Sequence, residues 1–181
     1  MEFVKTRIPD VVLIKPKVFG DSRGFFLESW KESAFEAAGI SQRFVQDNHS
    51  HSGQWILRGL HYQLRHTQGK LVRVSRGAVF DVAVDVREGS PTFGQWVGEE
   101  LNDSNHHMLW VPPGFAHGFL TLTEQVDFLY KCTDIYAPEH ECVIRWDDPE
   151  IGIQWPLPAE LQPKLSARDA QGALLRDAEK L

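Results

Sequence analysis

The sequence predicts one mainly all-β domain, folded as a sandwich or barrel with few helices. Three observations carry this reading. Short apolar runs of strand length recur between Gly and Pro turns, at Arg76-Gly77, Gly89-Ser90-Pro91 and Pro112-Pro113-Gly114, a spacing typical of closed antiparallel sheets. Helix and strand patterns do not alternate as in a parallel α/β sheet. The 181 residues show no internal repeat, low-complexity segment or linker, which suits a single domain over residues 1–181 with a sizeable core.

Residues 1–20 read as extended, with Phe3-Val4 and Val11 to Ile14 punctuated by Pro9 and Pro16. Proline at such intervals disfavours a helix and suits edge strands. Asp21 to Gly24 is a turn, and Phe25 to Trp30 a strand or strand end. Lys31 to Ala38 is the first predicted helix, with Ser33 and Glu36 spaced as a capping box and Gly39 as its stop. Phe44 to His51 is a polar strand. Further strands are expected at 71–75, 79–86, 93–101, 107–111, 115–122 and 126–132, with Gly94 and Gly98 as bulges. In the 79–86 strand, alternation puts Phe80, Val82, Val84 and Val86 on one face and Asp81, Ala83 and Asp85 on the other. Pro149, Pro156, Pro158 and Pro163 mark the tail as ordered coil lying over the barrel. A helical turn is expected at 159–161 and a short helix from Ser166 to about Ala178.

Lys plus Arg is 19 and Asp plus Glu is 25, a formal net charge of −6, which argues against non-specific nucleic-acid binding as the main role. No stretch approaches the roughly 20 apolar residues of a membrane span, and Met1 to Lys5 lacks a signal-peptide core. Cys132 and Cys142 are too few for a disulfide framework. A cytoplasmic protein with reduced thiols follows.

The motifs narrow the chemistry. His49-x-His51 has metal-ligand spacing on a strand, and Pro112-x-Gly114-x-x-His117 resembles the second metal motif of the cupins. Trp55 and Ile56 stand where a Glu ligand is expected, however, and Thr121 where an Asn is expected. The metal set is incomplete, and no metal is predicted. A Gly-x-Ser-x-Gly elbow is missing, as are phosphate-binding glycine loops. Any nucleotide would be held by Arg and Lys clamps and aromatic stacking. His61, Lys70, His117, Tyr130 and Asp169 are polar residues, most of them within or beside apolar strand patterns. A His oriented by a carboxylate, a Lys for an enolate oxygen and a Tyr to return a proton suit abstraction next to a carbonyl without a cofactor.

Several blocks in order then resemble the nucleotide-sugar 3,5-epimerases of deoxysugar biosynthesis. They include Phe19 to Phe26, Phe44 to Ser50, Arg58-Gly59-Leu60-His61-Tyr62-Gln63, Gln68 to Arg73, Phe80 to Arg87, Pro113 to Phe119, Tyr130-Lys131-Cys132-Thr133, Trp146 to Pro149 and Leu165 to Asp169. The resemblance runs from about Ile8 to Asp169. It implies a cupin-like β-jelly-roll barrel with a few short peripheral helices, a homodimer with an exchanged N-terminal segment, and no metal or cofactor. It implies a dTDP-4-keto-6-deoxy sugar as substrate, inverted at C3 and C5. His61 would be the base with Asp169 as its partner, Lys70 would stabilise the enolate, and Tyr130 would deliver the proton on the opposite face. His117 would hold a sugar hydroxyl or the enolate region. Arg23 and Arg58 would clamp the diphosphate with help from Arg168. Glu28, Gln46 and Asn48 would contact the thymidine side, with Phe19 and Phe26 as apolar walls and some of these supplied by the neighbouring subunit. Ile135 stands where the family often has the first of two aromatics, leaving Tyr136 as the ring. The alternatives are inversion at one carbon only, a non-catalytic sugar-nucleotide-binding module, and a metal-dependent cupin enzyme.

Overall fold

Two antiparallel sheets face one another in the computed structural model, which describes residues 1–181. The first runs in the order β1 (Glu2–Lys5), β2 (Val12–Lys15), β10 (Met108–Val111), β7 (Lys70–Arg76), β12 (Val126–Cys132), β5 (Gln46–Ser52). The second runs β13 (Glu141–Val143), β6 (Leu57–Gln63), β11 (Phe115–Thr121), β8 (Ala78–Asp85), β9 (Trp96–Asn102). A separate hairpin is formed by β3 (Val18–Asp21) and β4 (Gly24–Leu27). This is the mainly all-β, cupin-like barrel that the sequence predicts.

Three apolar clusters hold the layers. Between the sheets lie Val72, Val74, Val79, Ala83, Leu109, Phe115, Phe119 and Phe128, all buried. Outside the first sheet, the helix α1 (Glu32–Ala37) covers Ile14, Leu71, Met108 and Trp110 with Phe35. Outside the second sheet, the tail covers Leu60, Tyr62, Val82, Val84 and Val86 with Ile151, Leu175 and Trp155. The parity of β8 is therefore the reverse of a simple amphipathic strand. Its Val82/Val84 face points away from the barrel and is sealed by the tail, while Asp81 and Asp85 share the inner face with Ala83 and are fully buried.

Some local expectations need correction. The N-cap of α1 is Lys31 and makes no side-chain cap bond. Ser33 lies inside the first turn, beyond the position from which a hydroxyl caps. Gly39 does end the helix, at φ +85°. Gly98 is not a bulge, because β8 and β9 pair without a break from Ala78↔Asn102 to Val84↔Trp96. It is glycine because a Cβ there would lie 2.3 Å from the Phe80 ring. Gly94 sits in the turn before β9. The predicted 166–178 helix is only a single 3-10 turn at Asp169–Gln171. Gly172 leaves that turn with extended backbone, and Ala173 bridges to Ile144, accepting from Arg145 N–H and donating to Val143 C=O, each at 2.9 Å. At Ala173 the tail bonds to the barrel, and only short turns on either side, such as Ala170 N–H to Ser166 C=O and Ala178 N–H to Leu174 C=O, bond within the tail.

Candidate active site

Arg58 and His61 stand three residues apart on β6, which on a regular strand would send them to opposite faces. Both line one cavity between the sheets. The reason is a bulge: β6 pairs with β11 as His117↔His61 and then Phe119↔Arg58, so β6 carries one extra residue between the two pairs. One inserted residue reverses strand parity. Gly59 makes the bulge possible, since its φ is +123° and a Cβ would lie 2.5 Å from the Cα of Gly118.

The cavity measures about 310 Å³, at the small end of the range for ligand pockets. The first sheet contributes Gln46 and Asn48 from β5, Lys70 from β7 and Tyr130 from β12. The second contributes Arg58 and His61 from β6 and His117 from β11. Seven of the thirteen expected site residues are thus brought together, and His61 faces Tyr130 from the opposite sheet.

Asp169 lies directly behind His61. Its Oδ1 is 2.5 Å from His61 Nε2, its Oδ2 accepts from Ser166 Oγ at 2.7 Å, and the Gly59 N–H approaches Oδ1 at 3.4 Å. Burial works to raise this carboxyl, but the bonds from His61 and Ser166 outweigh it and hold the group below its usual range. It is therefore ionised at neutral pH. With Nε2 turned to Asp169, Nδ1 of His61 is the nitrogen left for a ligand, and about 30 % of the His61 side chain is exposed.

His117 forms a second pair that the sequence reading did not include. Its Nε2 lies 2.9 Å from Asp81 Oδ2 and 3.0 Å from Oδ1, both side chains being buried. The partners are diagonal neighbours on adjacent strands, because Asp81 pairs with Phe119 and Ala83 with His117. Burial pushes the Asp81 carboxyl up, against the opposing pull of His117 and Lys70. The signal was present in the acidic face of β8, which looks inward and not to solvent.

Lys70 and Tyr130 side chains make no hydrogen bond within the chain, so both point free donors into the cavity. Burial lowers the Lys70 ammonium, with Cys132, Glu141 and Asp81 opposing. Burial raises the Tyr130 phenol, against the pull of Arg58, so the phenol keeps its proton at neutral pH. Arg168 is at the rim, paired with Glu141 and donating to Tyr136 Oη at 3.3 Å. Glu141 and Tyr136 themselves line the cavity. The remaining ring, Tyr136, is therefore the one that lines the pocket, and Ile135 does not line it.

Arg23, Glu28, Phe19 and Phe26 do not line the cavity. Three of them belong to the β3–β4 hairpin, where Phe19, Phe25 and Phe26 are 53 %, 62 % and 69 % exposed. Arg23 there pairs with Asp21. His49 and His51 share a strand face as their spacing requires, but it is the outer face, where each lies 3.0 Å from Asp127 Oδ1. His117 is inside the barrel, so the two halves of the metal motif never meet. No three His, Cys, Asp or Glu side chains are grouped so as to hold a metal ion.

The family described as dTDP-4-dehydrorhamnose 3,5-epimerase matches residues 5–177. A dTDP-4-dehydrorhamnose 3,5-epimerase from Pseudomonas aeruginosa is 58 % identical over 180 residues, covering 99 % of this chain and 98 % of its own. A dTDP-6-deoxy-D-glucose-3,5-epimerase from Legionella pneumophila, solved in complex with dTDP-4-keto-L-rhamnose, superposes with a TM-score of 0.95 at 52 % identity, covering 98 % and 94 % of the two chains. A 3'-monoepimerase from Streptomyces bikiniensis, in complex with dTDP-quinovose, superposes at 0.88 with 33 % identity, covering 94 % and 86 %.

Proposed function

The chain belongs to the dTDP-4-dehydrorhamnose 3,5-epimerase family, and from that premise we propose how its residues divide the work. It is an isomerase that inverts C3 and C5 of dTDP-4-dehydro-6-deoxy-D-glucose to give dTDP-4-dehydro-L-rhamnose. The 4-keto group acidifies the hydrogens on both carbons. His61 removes a proton through Nδ1, the C–H electron pair moves onto O4 as an enolate, and Asp169 stabilises the imidazolium that forms. Lys70 holds the enolate oxygen. Tyr130 gives its hydroxyl proton to the same carbon from the other side, and exchange with solvent resets both groups. The proton count balances and no electron leaves the substrate, so the step needs no cofactor or metal.

The observation that carries this reading is the placement of His61 and Tyr130 on opposing sheets across one cavity. Base and acid on opposite walls are what inversion requires. Arg58 takes the diphosphate, His117 the sugar next to the enolate, and Gln46, Asn48 and Tyr136 the nucleoside side, with Arg168 at the rim.

The enzyme works as a homodimer. β1 and β2 pair within their own sheet, which leaves the β3–β4 hairpin as the segment to exchange. Its exposed Phe19 and Phe26, with Arg23 and Glu28, then reach the cavity of the other protomer. Both cysteines are free and no helix is long and apolar enough to cross a membrane, which fits a place in the cytoplasm.

The test is solvent-deuterium incorporation with the dTDP-4-keto sugar. Label is expected at C3 and C5, with thorough chelation having no effect. Tyr130→Phe should cut net inversion on the order of 10²-fold while exchange by His61 persists. Label at one carbon alone would make it a single-site epimerase, and binding without any label would make it a non-catalytic module.

A further inference from the structure

We propose that Ser50 is a substrate-binding residue whose hydroxyl shares with Arg58 the oxygens of the sugar diphosphate. The inference rests on the diphosphate role proposed for Arg58. β5 presents four polar side chains to the barrel interior: Gln46, Asn48, Ser50 and Ser52. Three of them have partners. Gln46 donates to Asn48 Oδ1 at 3.0 Å and accepts from Tyr136 N–H at 2.9 Å. Asn48 donates to Cys132 Sγ at 3.6 Å. Ser52 Oγ accepts from Arg58 Nη2 at 3.1 Å and Nε at 3.3 Å.

Ser50 Oγ alone has none, and it is the one side-chain nitrogen or oxygen atom fully shut off from solvent that lacks a hydrogen-bond partner. A hydroxyl taken out of water without a partner is unfavourable, and Ala or Val would serve a merely structural position better. Its cross-strand neighbour offers no polar side-chain group. Ser50 is level with Phe128 on β12, and Phe128 is stacked on Phe119 at 4.0 Å between ring centres. Ser50 lines the cavity together with Arg58, so a ligand that fills the cavity is the group left to pair with its hydroxyl.

Ser52 fixes what Ser50 would meet. It is the next inward residue on the same strand, and it holds the Arg58 guanidinium at that end of the pocket. A group held by Arg58 is an anionic oxygen, and such an oxygen accepts well from a neighbouring O–H. Ser50 is thus suited to donate to a phosphate of a nucleoside diphosphate-sugar. Because that bond is made equally in ground and transition states, it acts on binding and not on the proton transfers.

The experiment compares Ser50→Ala and Arg58→Ala with the parent enzyme by steady-state kinetics, by titration with dTDP, and by thermal unfolding. For Ser50→Ala, KM and the dTDP Kd are expected to rise about tenfold, as for one lost bond to a charged group. Turnover should stay within about twofold, and the melting temperature should be unchanged or higher, because an unpaired buried hydroxyl has been removed. Unchanged KM and Kd in Ser50→Ala, with weakened dTDP binding in Arg58→Ala, would overturn the role of Ser50 alone. A lowered melting temperature with unchanged dTDP affinity would make Ser50 structural and overturn it too. If Arg58→Ala also leaves dTDP affinity intact, the diphosphate reading itself falls and takes Ser50 with it.

Discussion

His61–Asp169 and His117–Asp81 are the same pair of side chains built in two ways. The second is a product of sheet register, with both residues on adjacent strands, both buried and both fixed by neighbouring ladder bonds. The first joins a bulged strand to a 3-10 turn 108 residues away, and its imidazole faces the cavity. Their carboxyls also diverge, since burial dominates at Asp81 and raises it, while at Asp169 the bonds from His61 and Ser166 overcome burial and lower it. Pairs whose environments push titrating groups apart can take different roles. An ionised carboxylate behind a partly open imidazole suits the base proposed above. A buried pair locked in a sheet makes a rigid polar post.

The sharpest test of that contrast is to remove each imidazole. His61→Ala should lower hydrogen exchange at C3 and C5 by about 10³-fold or more, with the fold retained, whereas His117→Ala should lose on the order of 10–10². A larger loss from His117→Ala would invert the assignment. Next come the carboxylates. Asp169→Asn should reduce turnover on the order of 10²-fold through loss of the imidazolium partner, and Asp81→Asn about tenfold or less.

Acid unfolding separates the same two groups by sign. Asp169 is held below its ordinary value of 3.8, so its contribution to stability is full above that value and is lost as pH falls through the lower folded value. Asp81 lies above 3.8; its ionised form costs stability at neutral pH, and acidification relieves that cost. Asp169→Asn should therefore flatten the acid limb of a melting-temperature profile, and Asp81→Asn should steepen it. The limb itself owes a share to Asp85, which burial works to raise but bonds from Arg87, Ser90 and Thr92 bring down to about 2. Its loss between pH 4 and 2 is worth about 2 kcal/mol. The smallest effect is expected from Ser166→Ala. Without that bond the carboxylate becomes more basic, so the acid limb of kcat/KM should move to higher pH while turnover at its plateau falls only severalfold. No displacement would mean that Ser166 only shapes the turn.

Strand positions and the barrel were legible because alternation and Gly/Pro turns are local signals. The pocket members Lys70, His117 and Tyr130 were legible as polar residues in apolar strands. That Arg58 and His61 share a face was not legible, because their spacing contradicts it unless a bulge is known. Asp81 went unseen because its polar face looked like a solvent face, and nothing local says that the tail seals the other side. Glu141 escaped because β13 has three residues and no periodicity to read. The expected C-terminal helix failed for a related reason: Ala173 spends its backbone groups on the barrel, a competition that helix propensity does not register.

That docked tail also orders events in time. Chains are made from the N-terminus at about 5–20 residues per second, so every strand of both sheets, through Val143, leaves the ribosome before Asp169. A barrel caught at that stage has His61 without its carboxylate partner and leaves Val82, Val84 and Leu60 uncovered. Such a product exposes an apolar face, the kind of surface that makes incomplete chains prone to aggregate. One docked segment thus closes the outer face of the second sheet and supplies the carboxylate behind His61.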